Sequence, residues 1–161
     1  MRVKLLFPAL VVLGGCCAMA QTPAPAPKLF AAAGDVSAMI AKAKAERKPD
    51  QANFSQPIVR LAPYAANLEY RVGSVVAPAS VHEKEAELFY VVEGTGTMVT
   101  GGKLVEEKRT NPTNLSGTKI EGGESRKLAK GDFLIVPENT PHWITGIDGA
   151  LVLMTFHVPK P

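Results

Sequence analysis

The chain has 161 residues, with 18 Lys plus Arg against 15 Asp plus Glu, and it is 46% hydrophobic and 20% charged. That length suits one domain. The hydrophobic fraction excludes a disordered chain, and the near balance of charge argues against a nucleic-acid binder; two of the surplus cations, Arg2 and Lys4, sit at the extreme N-terminus.

The first segment reads as an export signal over residues 1–20. Arg2 and Lys4 precede the apolar run Leu5 to Leu13, and Ala18-Met19-Ala20 places small residues where a signal peptidase cuts, before Gln21. The run is too short for a membrane span, which needs about 20 residues. Leu13-Gly14-Gly15-Cys16 also resembles the lipobox of bacterial lipoproteins, with Cys16 as the lipidated residue. The expected location is therefore the periplasm or the extracellular space, with lipid anchoring as the second choice. Cys16 and Cys17 are the only cysteines. Cleavage after Ala20 removes both, so a packed core rather than disulfides has to hold the mature chain.

Residues 21–34 form a Pro/Ala-rich linker that opens Gln-Thr-Pro-Ala-Pro-Ala-Pro. Residues 35–48 read as one amphipathic helix, capped by Asp35 or Ser37, with Val36, Met39 and Ile40 as its apolar stripe and Pro49 beyond its end. Such a helix serves as a clasp on the outside of the domain. Residues 56–161 then carry short β-like runs separated by turns. The predicted strands are Ile58–Leu61, Leu68–Val72, Leu88–Val92, Gly96–Thr100, Thr118–Glu121, Arg126–Ala129, Phe133–Val136 and Leu151–Val158. Fourteen Gly and thirteen Pro agree with many turns. Gly102 to Gly117 is mostly polar and reads as a long excursion between strands, a candidate lid. The sum is an all-β sandwich or barrel with one helix before it.

Two stretches carry chemistry. The first is Ser80-Val81-His82-Glu83-Lys84-Glu85-Ala86-Glu87, running on to Gly94; the second is Gly131 to His142, with Pro137, Asn139 and Pro141 inside it. Imidazole nitrogen and carboxylate oxygen suit a divalent transition metal. His82 and Glu87 have opposite strand parity, so residues 83–86 must form a loop or bulge for both to face one side. Tyr90 and Trp143 then fall on the opposite face as packing residues. His157 is expected to be a satisfied structural imidazole, with a fourth ligand as the alternative, and Arg71 a surface cation although it could point inward to an anionic ligand. Glu83, Lys84 and Glu85 read as the solvated face of the loop.

This pattern resembles the cupin family. The first cupin motif is Gly, five residues, His, one residue, His, three or four residues, Glu, six residues, Gly; His82, Glu87 and Gly94 match its second His, its Glu and its last Gly. In the second motif Gly131, Pro137 and His142 match, while Asn139 stands for a Gly and Gly146 for the final Asn. The first His is replaced by Ser80. The resemblance implies a double-stranded β-helix (jelly-roll) barrel and a metal set of His82, Glu87 and His142. Ser80, Phe89, Val91 and Ile144 are expected to line the pocket beside it. The ion implied is iron, manganese, nickel or zinc. The expected function is metal-dependent lyase, isomerase or dioxygenase chemistry on a small oxygen-bearing substrate. The alternative is a non-catalytic barrel that binds a sugar or carboxylate without metal. The expected partners are small molecules, with no nucleic acid, and the resemblance to small cupins implies a second copy of the chain in a homodimer.

Overall fold

The computed structural model describes residues 26–160. The proposed leader, Cys16 and the start of the linker lie outside them. Helix α1 spans Ala33–Glu46, beginning and ending two residues before the expected 35–48. Asp35 explains the early start: it is the third helical residue, and its Oδ2 accepts the Ala32 N–H at 3.0 Å, placing a negative charge over the first turn. Ser37 does not cap; its hydroxyl donates to the Ala33 carbonyl. Val36, Met39 and Ile40 pack on Ile58, Leu68 and Val152, so the helix covers the outer face of the sheet.

Eleven strands follow in the described residues: β1 (Asn53–Leu61), β2 (Tyr64–Val72), β3 (Ala79–His82), β4 (Glu85–Thr100), β5 (Lys103–Val105), β6 (Lys108–Asn111), β7 (Asn114–Gly117), β8 (Lys119–Glu121), β9 (Glu124–Leu128), β10 (Phe133–Val136) and β11 (His142–Pro159). The main sheet runs β1-β2-β11-β3-β7-β6, and β4 joins β11 to both β9 and β10. Every pairing is antiparallel, which gives the all-β jelly-roll architecture. The interior is filled by Phe89, Val91, Met98, Leu128, Val136, Ile144, Leu151 and Leu153.

Two expectations are corrected by this topology. Leu88–Val92 and Gly96–Thr100 are one strand, β4, bent between its two halves at Gly94 (φ +90°). The polar stretch 102–117 is not a free lid: it contains β5, β6 and β7, and β7 pairs residue for residue with β3. Short, polar strands of this kind carry no apolar periodicity, so a pattern-based reading passes over them.

The bend at Gly94 admits no side chain. A Cβ there would overlap the Ala150 carbonyl oxygen on β11, and the positive φ is costly for any L side chain. We expect Gly94→Ala to cost about 3 kcal/mol. In urea the midpoint should fall while the slope stays unchanged; an unaltered midpoint would contradict the close approach of β4 and β11.

Candidate metal centre

Four strands bring the site together. β3 ends at His82, residues 83–84 turn the chain, and β4 starts at Glu85, so the turn overcomes the opposite parity of His82 and Glu87. Glu87 lies inside the sheet with Val136 of β10 on one side and His157 of β11 on the other. His142 opens β11 opposite Ser80 and Thr100. The turn before it holds Asn139 at φ +56°, and its N–H donates to the His82 carbonyl at 2.7 Å. Asn139 and Gly146 (φ +55°) both occupy left-handed backbone. Gly and Asn are the residues that tolerate this conformation, which accounts for their exchange relative to the family motif.

The side chains converge on one carboxylate. His82 Nε2 is 3.2 Å and His142 Nε2 3.1 Å from Glu87 Oε2. His157 Nε2 is 3.5 Å from Glu87 Oε1. One ligand atom from each of His82, Glu87 and His142 lies within 4.8 Å of the others. Glu87 and His142 are buried. A second grouping within the same limit joins His82 and His157 to Glu85.

The other ring nitrogens are already committed. His82 Nδ1 faces Asn114 Oδ1 at 3.2 Å, His142 Nδ1 faces the Thr140 carbonyl at 3.3 Å, and His157 Nδ1 faces Glu85 Oε1 at 3.0 Å. Each of these oxygens accepts, so each Nδ1 must donate, and the neutral imidazole then presents a bare lone pair at Nε2. Three lone pairs aimed at one buried carboxylate repel unless positive charge lies between them. Protonating all three rings would put three cations against the two carboxylates Glu85 and Glu87. A single divalent ion satisfies the same donor set without that excess, and imidazole with carboxylate is the ligand chemistry such an ion takes. The residues present fit a divalent metal.

Without an ion, the His82–Glu87 pair supplies its own charge balance. Burial opposes ionisation of Glu87, but hydrogen bonds from His142 and His82, with charge from His142 and His157, hold its carboxyl far below the usual carboxylate range. For His82 burial opposes the charged ring; Glu87, Asn114 and Glu85 together outweigh it and raise the imidazole above its ordinary value.

The other singled-out residues are distributed as follows. Ser80 and Ile144 line a cavity of about 240 Å³ beside His142, together with Arg71, Asn53, Ser116 and Trp143. Phe89 and Val91 belong to the packed interior, with the Phe89 ring 5.9 Å from that of His142. Tyr90 is on the outer face against Phe133, and Trp143 donates its indole N–H to the Ala77 carbonyl. Arg71 is a correction. It is no surface cation: its side chain is 15% exposed and meets the buried Glu69 carboxylate at 2.7 Å on the cavity wall. Its neighbour in the ladder, interior Leu151, shows that β2 turns this position inward.

Glu85 is a further correction: instead of lying on a solvated loop face, it accepts from His157 Nδ1 at 3.0 Å. That bond satisfies the His157 imidazole as expected, and its Nε2 also reaches the cluster, 3.5 Å from Glu87 Oε1. His142 and His157 have opposite parity, which on a regular strand sends them to opposite faces. Between them Thr145 pairs with Thr97 and Leu151 with Gly94, with bulges at Asp148, and Gly146 and Gly149 have positive φ. The bulges switch the face and return His157 to the interior. The glycines are the only signal of this in the sequence.

The cupin family profile matches residues 50–161. Solved structures with the same fold include KdgF from Halomonas sp., at TM-score 0.52 and 16% identity over 71% of this chain and 87% of that one. TT1209 from Thermus thermophilus is similar at TM-score 0.52 and 18% identity, covering 71% of this chain and 89% of that one. FeII HppE is similar at TM-score 0.51 and 18% identity, covering 69% of this chain and 53% of HppE. Among curated proteins no sequence matches.

Proposed function

Because this chain belongs to the cupin family, we propose that it is an exported metal-dependent cupin acting on a small oxygen-bearing substrate by lyase, isomerase or dioxygenase chemistry. The observation that carries this reading is the convergence of His82, His142 and His157 Nε2 atoms on Glu87 with every Nδ1 already bound. Export rests on the order of charge, apolar run and small residues in residues 1–20. Among the described residues no helix is long and apolar enough to cross a membrane.

A divalent ion bound here supplies Lewis acidity to a substrate oxygen, or dioxygen chemistry if the ion is iron. The chain's own residues do the rest. His82, Glu87 and His142 hold the ion, and Glu87 offsets part of its charge. The adjoining cavity selects the substrate: Ser80 and Ser116 offer hydroxyls, and Arg71, held by Glu69, offers guanidinium donors. The Asn53 side-chain oxygen is buried there without a partner, so a hydroxyl donor on the substrate would satisfy it. Polar walls of this kind suit a hydroxylated carboxylic acid better than an apolar molecule.

The replacement of the first motif His by Ser80 favours the second reading, a barrel that binds its ligand without metal. Elemental analysis of protein purified without chelator separates the two, followed by thermal-shift screening of sugars and hydroxy acids with and without EDTA. We expect about one divalent ion per chain, and ligand stabilisation that disappears with EDTA. Trace metal only, with ligand stabilisation indifferent to EDTA, would establish the metal-free reading instead.

A further inference from the structure

The family pattern supplies a histidine where this chain has Ser80. We propose that His157, from the far end of the last strand, takes over as the third imidazole and completes a four-ligand set with His82, Glu87 and His142. The proposal rests on the metal reading above and goes beyond it in naming a ligand that neither motif contains.

Four observations carry it. His157 is the direct cross-strand partner of Glu87 in the β4–β11 ladder, a position whose side chains meet on the same face. Its Nε2 faces Glu87 Oε1 at 3.5 Å while the other two imidazoles face Oε2, so both oxygens of one carboxylate are surrounded. Its Nδ1 is held at 3.0 Å by Glu85. A carboxylate behind a histidine in this way fixes the tautomer and makes the free nitrogen a better donor. The His157 ring also stands edge-on to that of His82, with centroids 5.1 Å apart. Nothing comparable supports Ser80, whose neutral hydroxyl is a weak metal donor. Glu85 thus serves the site as a positioning residue, through His157.

The chain has only three histidines, which makes the test direct. Protein stripped of metal and labelled with 15N-histidine is titrated with zinc and followed by long-range proton–nitrogen correlation spectra, which report each ring nitrogen separately. One zinc per chain should move all three Nε2 resonances to metal-bound positions and leave all three Nδ1 protonated. In His157→Gln, the zinc dissociation constant should rise by more than about 100-fold, beyond the 10- to 100-fold typical of losing an outer-shell partner. Circular dichroism of the same variant verifies its fold, and the wild-type spectra decide the matter even if the variant does not fold. Metal-bound shifts on His82 and His142 alone would overturn the role of His157 while leaving the metal reading intact. Two zinc ions per chain would also overturn it, because His157 would then serve a separate site with Glu85. If no resonance responds to zinc, both readings fall together.

Discussion

Glu87→Gln is expected to lower divalent-metal affinity by at least about 100-fold while leaving the fold intact, because the amide keeps the shape of the carboxylate and removes its charge. All three imidazoles of the cluster are oriented on this one side chain, and it is the only carboxylate in the grouping with His82 and His142. The same substitution should lower the His82 imidazole pKa, since hydrogen bonding and charge from Glu87 are the largest influences raising it. Isothermal titration with zinc reads the first effect, and the pH titration of the His82 ring reads the second. Wild-type affinity in the variant would remove Glu87 from the ligand set, and with it the proposed centre.

How much of this was legible beforehand differs from one residue to the next. His82, Glu87 and His142 could be singled out because their spacing repeats a motif, and the turn needed to reconcile His82 with Glu87 could be deduced from parity alone. It lies at residues 83–84, where β3 gives way to β4. His157 could not be found in that way. Its place depends on the register of β11 against β4 and on bulges around Asp148, and neither register nor bulges leave a periodic trace in the sequence. Arg71 escapes a sequence reading for a different reason: arginine is rarely interior unless paired, and its partner Glu69 lies two positions away on the same face of β2. Asn114 is hidden in the polar stretch around it. That stretch reads as a loop only until β7 is seen to pair with β3 and to set Asn114 opposite His82.

Loading the site should stabilise the protein most strongly on the alkaline side of neutrality. In the metal-free protein Glu87 is held far below its ordinary value of 4.5; its contribution to stability is complete above that value and is lost as the pH falls through the folded pKa. The His82 pKa is raised above 6.5, so its contribution is complete below 6.5 and fades as the pH climbs through the raised value. The metal-free protein is therefore most stable between these two ordinary values. Metal binding runs the other way, because ligation needs the His82 Nε2 unprotonated and binding must displace that proton. At a free metal concentration 1,000 times the dissociation constant, the added stability is roughly 4 kcal/mol, which for a domain of this size raises the melting temperature by on the order of 10–20 °C. Melting curves at pH 5, 6, 7 and 8, with EDTA and with zinc, should show a gap that is small at pH 5 and widens with each step. In EDTA the melting temperature itself should decline from pH 6 to pH 8. A gap independent of pH would mean that no histidine proton is displaced, and that zinc binds somewhere other than at His82.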